Sequence, residues 1–380
     1  MLKKLRPSAL LFLILGISCS KKQRFDNPID AVLQSSDPDI RMVMDHIEDH
    51  EVQIRYTVID RKNDRVFFTE YDYGVNPKHY FYPASTVKFP IALLALEKLN
   101  EDPGLDLNSR FYVEGDSIET SFAEAISNIF AVSDNASYNR LFEYLDQDRI
   151  NQELRKKGIR PVRISHRLST PEAEEITTKP LIVYINDSTT TMYGNTINTS
   201  AEELRLEGIQ KGKGFYKEGT LHQEPFHFGL KNYYPITAQH DLLKRVFFPE
   251  KYPPDAQFSI NRSQREFLLR AMHTLPRELG YSPKDYPDNY VKFFMYGDSP
   301  KTIPPHLKIY NKIGLAYGTL TDCAYIVDTK NNLEFLLTAT ILVNKNGIFN
   351  DNMYEYDTIG IPFLAALGRG IHQHQMNHKP

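Results

Sequence analysis

Three short groups of residues in this chain could do chemistry together. The first is Ser85-Thr86-Val87-Lys88. A serine hydroxyl is a nucleophile once a neighbouring base takes its proton, and a lysine three residues on shares its helix face. That lysine is a base only if burial or a second cation lowers its ammonium pKa. The second group is Ser133-Asp134-Asn135, three residue types that also favour helix caps. The third is Lys312-Ile313-Gly314, which brings a cation together with a residue whose backbone can be approached closely. Lys312 could be the second cation that lowers the pKa of Lys88.

None of the three patterns is rare alone. Ser18 to Lys21 repeats the first and Ser259 to Asn261 has the outline of the second. Lys156, Lys217 and Lys345 each precede a Gly by two residues. Their setting is what distinguishes them. Ser85 follows Tyr82-Pro83-Ala84 and opens the apolar run Phe89 to Leu96, so the spacing predicts a helix over Thr86 to Asn100 with Ser85 at its start. The unpaired N–H groups of a helix start can hold a developing oxyanion. Ser133-Asp134-Asn135 divides predicted helices Ser121 to Ala131 and Ala136 to Leu145. Lys312 lies on the alternating run Leu307, Ile309, Asn311, Ile313.

Strands are predicted at both ends of the chain. Val52 to Val58 alternates and Arg65 to Tyr71 follows the turn Arg61 to Asp64; Thr321 to Asp328 and Glu334 to Val343 follow the Lys312 run. Further helices are predicted over Asp39 to Asp49, Ala238 to Phe248, Ser263 to Leu275 and Tyr356 to Leu367. The simplest closure is an α+β fold in which one antiparallel sheet, made from both termini, carries helices. Between Gly158 and Pro235 the periodicity dissolves into a polar stretch, read as a long insertion at about 159–235.

Together these residues resemble the serine penicillin-recognising superfamily, and class A β-lactamases most closely. The resemblance spans roughly 39–158 and 236–370. It implies a five-stranded antiparallel sheet flanked by helices plus a helical lobe, with the site between them. It further implies that Ser85 is the acylated nucleophile, Lys88 its base or proton relay, and Ser133 the proton donor to the leaving nitrogen. Asn135 would bind the substrate's amide side chain and Lys312 its carboxylate. The N–H groups of Ser85 and Leu315 would form the oxyanion hole beside Gly314. The implied substrate is a small β-lactam or a peptidoglycan-type peptide, with no metal and no organic cofactor. A D-alanyl-D-alanine peptidase or transpeptidase, and a penicillin-binding sensor that acylates without turnover, are the alternative readings.

Two departures bear on turnover. Ile313 stands where that family has Thr or Ser, which implies loss of a hydroxyl near Lys312 worth roughly 1.5–3 kcal/mol to a bound carboxylate. The Glu-x-x-Leu-Asn segment that activates the deacylating water in class A enzymes is also absent. Glu172, Glu174 and Glu175 are the first candidates to replace it.

The remaining features concern location. Lys3, Lys4 and Arg6 precede the nine-residue apolar run Ala9 to Ile17 and then Cys19, the layout of an export signal over 1–18 with Cys19 placed for lipidation. Residues 19–38 read as a tether and 371–380 as a polar tail. The expected location is the cell envelope, at the periplasm or outer membrane, with the lipid anchor as the membrane contact. A net charge of −3 on 380 residues argues against nucleic-acid binding, and a monomer is expected. Cys323, in an apolar run, reads as a small core residue. His222, His227 and His240 lack metal-site spacing, and His372, His374 and His378 read as a solvated terminus.

Overall fold

The computed structural model describes residues 27–63 and 65–378; the proposed signal segment and Cys19 lie outside them. The chain enters with helices α1 (Pro28–Leu33) and α2 (Pro38–Met44). Each has proline in its first turn behind a side-chain cap. Asn27 Oδ1 accepts from Ile29 N at 2.9 Å, and Asp37 Oδ1 from Asp39 N at 3.0 Å. Ile29, Val32 and Leu33 of α1 are buried, so the tether expected over 19–38 is corrected here: from Pro28 onward the chain is part of the folded body. The helix expected over Asp39 to Asp49 is α2 followed by a 3-10 turn at Ile47–Asp49.

Strands β1 (Gln53–Lys62) and β2 (Arg65–Tyr73) form a hairpin. The helical lobe follows. Helix α3 (Lys88–Leu99) is preceded by a 3-10 turn over Ala84–Val87, and strands β3 (Arg110–Val113) and β4 (Thr120–Ser121) lead into α4 (Phe122–Ala131). Then come α5 (Asn135–Leu145) and α6 (Gln147–Lys156). Helix α3 is buried nearly all round, with only Glu97 and Lys98 near its end less than fully buried, which marks it as the axis of the lobe.

The stretch without periodicity is built from short strands. Strands β5 (Leu181–Asn186) and β6 (Thr189–Tyr193) extend β3 into a four-stranded sheet, with Phe111 opposite Val183. Strands β7 (Gln210–Lys211), β8 (Gly214–Lys217), β9 (Thr220–His222) and β10 (Phe226–His227) form two further patches. They frame an aromatic cluster of Tyr80, Tyr82, Phe228, Tyr233 and Phe349, against which Tyr317 packs.

Helices α7 (Ile236–Phe247) and α8 (Arg262–His273) return to the lobe, and the short α9 (Phe293–Tyr296) leads towards the second half of the sheet. Strands β11 (Leu307–Ala316), β12 (Thr319–Asp328) and β13 (Leu333–Leu342) complete it in the order β11-β12-β13-β1-β2, antiparallel throughout. This is the sheet expected from both termini. The short β14 (Ile348–Phe349) pairs with β8.

One face of the sheet, including Cys323, Tyr325 and Leu336, packs on the helical lobe. The other, including Ile54, Tyr56, Ile326 and Leu337, packs on α1, α2 and α10 (Ile361–Asn377). Helix α10 follows a π-turn over Tyr356–Gly360 and extends ten residues past the expected end at Leu367. Ile371 is fully buried and His372 Nε2 lies 2.8 Å from Asp328 Oδ2, so most of the expected tail is packed helix.

Candidate active site

The site forms where the edge strand β11 passes the start of α3. Gly314 is required there: a Cβ at this position would lie 2.6 Å from Pro83 O and 3.1 Å from the Ala84 side chain. The third residue group is thereby pressed against the backbone just ahead of Ser85. Ser85 sits in the 3-10 turn that opens α3, half-buried, with its hydroxyl in no hydrogen bond to any described residue. Leu315, next along the strand, is 38% exposed, so the cleft is open on that side.

Behind Ser85 stands Lys88, fully buried. Its ammonium donates to Ser133 O, to Ser133 Oγ at 3.3 Å and to Asn135 Oδ1 at 2.7 Å. Lys312 arrives from β11, also buried, and donates to the same Ser133 Oγ at 2.7 Å and to Ile313 O at 2.9 Å. Lys88 and Lys312 are thus joined through the Ser133 hydroxyl, and Asn135 is attached through Lys88. Ser85 lies one helical turn ahead of Lys88 without a direct hydrogen bond to it.

The electrostatics follow from burial. Desolvation lowers the pKa of Lys88 to about 7, against a smaller opposing effect of Asp134. Desolvation also holds Lys312 well below the usual lysine range, and the charge of Lys88 pushes it further the same way. The two nitrogens share one hydroxyl, so they are at most about 6 Å apart; at an effective dielectric of about 20, two charges so placed repel by about 3 kcal/mol. Two full charges are therefore disfavoured at neutral pH. A neutral amine one turn from an unengaged serine hydroxyl can accept that serine's proton, and Ser133 can pass protons between the amines.

Asp134 has another task. Its carboxylate accepts from Ser137 N at 2.6 Å and caps α5, while Ser133 before it takes a left-handed φ of 56°. Ala84, Ser169 and Tyr317 are also non-glycine residues with φ near +50°, so four left-handed residues surround the cleft.

Two features were not legible in the sequence. Behind Lys312, the buried Lys292 donates to Asn311 Oδ1 at 2.7 Å, and Asn311 Nδ2 donates to Asp322 Oδ1 at 2.8 Å. Burial raises the pKa of Asp322 to about 6 and lowers that of Lys292 to about 7. The second is Ser169, from the long insertion, whose Oγ accepts from Asn135 Nδ2 at 2.9 Å. Nothing in Leu168-Ser169-Thr170-Pro171 signals that role.

Two expectations, on Ile313 and on the three glutamates, are corrected. Ile313 lies on the face of β11 opposite Lys312, within the apolar layer shared with α10, so a hydroxyl at this position would not face the same groups as Lys312. Glu172 pairs with Lys179 and Glu174 with Lys231, each at 2.5 Å, and Glu175 is exposed; none contacts Lys88, Ser133 or Asn135. His240 is a buried sheet contact, between the hydroxyls of Thr57 at 2.7 Å and Thr338 at 2.9 Å.

Residues 39–206 match the profile of the beta-lactamase enzyme family. Solved structures agree over most of the chain. A β-lactamase from Sphaerobacter thermophilus is 12% identical with a TM-score of 0.52, covering 93% of this chain and 98% of its own. One from Burkholderia ambifaria is 13% identical with a TM-score of 0.51, covering 91% and 97%. One from Xanthomonas campestris is 14% identical with a TM-score of 0.50, covering 91% and 98%. The chain has the β-lactamase fold. The similarity bears out the resemblance read from the three residue groups, and at this identity it speaks for the fold. No curated protein matches the sequence.

The shifted lysine gives a pH dependence whose sign is fixed. In the unfolded chain Lys88 keeps its proton up to about pH 10.5, whereas in the fold it loses it near 7. Between these values the unfolded state binds more protons, so stability rises with pH, and the penalty is fully present below 7. Comparing Lys88→Met with wild type by urea unfolding at pH 7 and pH 9, the wild type should gain relative to the variant by up to about 1.4 kcal/mol per pH unit. A pH-independent difference would show that Lys88 titrates at its ordinary value.

Proposed function

We propose that this β-lactamase-like protein is an exported serine hydrolase that acts through an acyl-serine intermediate on Ser85. Its substrate would be the amide of a β-lactam, or a related amide or ester. The observation that carries the reading is the unengaged Ser85 hydroxyl at the start of α3, one turn from a buried lysine whose pKa lies near 7.

Each role then follows from chemistry. Lys88 in its neutral form takes the Ser85 proton as the oxygen attacks the carbonyl carbon. The N–H groups of Ser85 and Leu315 receive the developing oxyanion; the approach of Gly314 to Pro83 is what supports this pairing. Ser133, held between two amines, hands a proton to the leaving nitrogen and is reprotonated through Lys88 or Lys312. A substrate carboxylate would meet Lys312, whose protonated form it would favour, and an amide side chain would meet Asn135. No metal or organic cofactor enters this scheme.

A non-turnover penicillin-binding role is the second reading. The observation favouring it is that Glu172 and Glu174 are held in ion pairs away from Lys88. Export and acylation of Cys19 belong to the proposal as well, on the strength of the basic head and the apolar run before Cys19.

Incubation with a fluorescent penicillin should label wild type covalently, and Ser85→Ala should abolish the label while leaving the unfolding transition intact. Labelling that survives the change would remove Ser85 from the mechanism. Cell fractionation should find the wild type with membranes and Cys19→Ser in the soluble or unprocessed fraction; a wild type that is soluble and cleaved elsewhere would refute lipidation.

A further inference from the structure

The segment before Ser169 is fixed to one face of α5. Tyr138 donates through its hydroxyl to His166 O at 3.0 Å. Asn139 donates to Leu168 O at 3.0 Å and accepts from Leu168 N at 2.8 Å. Glu143 receives the Arg167 guanidinium at two oxygens, 2.5 and 2.9 Å, with both side chains 5% exposed. Arg167 also donates to Glu175 O at 2.7 Å and Thr177 O at 3.0 Å, so the buried pair is well satisfied. Asn135, Tyr138, Asn139 and Glu143 are spaced as one helical face, and Asn135 is its end nearest Lys88.

At the next residue the backbone turns left-handed. Ser169 has a φ of 51°, a conformation that strains a non-glycine residue. The turn brings its hydroxyl to Asn135 Nδ2 at 2.9 Å. The orientation of that amide is set from its other side, where Oδ1 accepts from Lys88. Ser169 Oγ is therefore the acceptor in this bond, its own proton remains available, and the residue is exposed. Glycine would adopt this backbone without cost. A serine there retains a hydroxyl at the end of the chain Lys88–Asn135–Ser169.

We propose that Ser169 is a positioning residue for the water that hydrolyses the acyl-enzyme. The proposal rests on the acyl-serine reading above. The Ser169 hydroxyl donates to the incoming water and orients it beside the Lys88 amine. The water's O–H bond breaks as its oxygen bonds to the acyl carbon, and its proton goes to Lys88. The tetrahedral carbon then releases Ser85 Oγ, which takes that proton back from Lys88, leaving a free acid and the resting serine. Hydrolysis then needs no carboxylate from the insertion, in keeping with Glu172 and Glu174 being engaged elsewhere.

The test separates the two steps. The full chain is mixed with benzylpenicillin, and intact-mass spectrometry follows the rise and decay of the adduct in wild type, Ser169→Ala and Ser169→Gly. Acylation should change by no more than about twofold, while adduct decay slows by at least about tenfold in both variants, the size expected for one lost hydrogen bond of about 1.4 kcal/mol. The glycine variant relieves the left-handed strain and should unfold at the same or higher urea concentration. A merely structural role predicts the opposite pattern, with glycine decaying at the wild-type rate. That result, an equal slowing of both steps, or a wild-type adduct that does not decay would each overturn the assignment of Ser169. A wild type that forms no adduct at all would instead overturn the acyl-serine reading on this substrate, and the proposal with it.

Discussion

Two buried lysine amines converge on the hydroxyl of Ser133, and among the described residues no carboxylate is hydrogen-bonded to either. Burial of a charge is costly unless it is paired, and here the relief comes largely from proton loss. Much of the surrounding structure serves that arrangement. Helix α3 buries Lys88 at its first turn, the edge strand β11 carries Lys312, and the link between α4 and α5 offers Ser133 in a left-handed turn. The fully buried carboxylate of Asp322 lies behind Lys312 and is bound through Asn311 to a third buried lysine, Lys292. It moderates the field without giving either site lysine an ion-pair partner.

The sheet makes this possible because its edge is left free next to α3. Among the described strands β11 is paired only with β12, and Gly314 allows it to come against Pro83 and Ala84. One face of β11 sends Lys312 to the cleft while the other sends Ile313 to the apolar layer under α10. That alternation answers the question raised by Ile313 in the sequence. The residue completes a core on the face of the strand away from Lys312. The insertion contributes in two ways: an aromatic cluster that packs around Tyr82, three residues ahead of Ser85, and the segment docked on α5 that ends in Ser169.

The central sheet and the lobe helices were legible because their periods are strong: Val52 to Val58 and Leu307 to Ile313 alternate, and the runs after Ser85 and Ser121 carry helical spacing. The three residue groups were legible for the same reason, since each sits at the start or edge of such an element. What escaped was short or polar. Helix α1 has apolar residues at 29, 32 and 33 behind Asn27, but six residues give little pattern. Helix α6 has only Ile150 and Leu154 as apolar anchors in ten residues, and β6 reads Thr-Thr-Thr-Met-Tyr. The contact of Ser169 with Asn135 joins residues 34 apart through a loop whose path is set by the buried Arg167–Glu143 pair, and no local pattern encodes it.

The account depends on Lys88 being largely neutral in the folded protein near physiological pH. The most direct measurement is an NMR titration of its side-chain nitrogen, assigned by comparison with Lys88→Met, from pH 5 to pH 11. Because Lys312 is coupled to it, the curve reports the pair. The account predicts a midpoint near 7, with no proton lost by the Lys88 signal near its ordinary 10.5. A single transition close to 10.5 would contradict it, since an amine that stays protonated throughout neutral pH could not take the proton of Ser85.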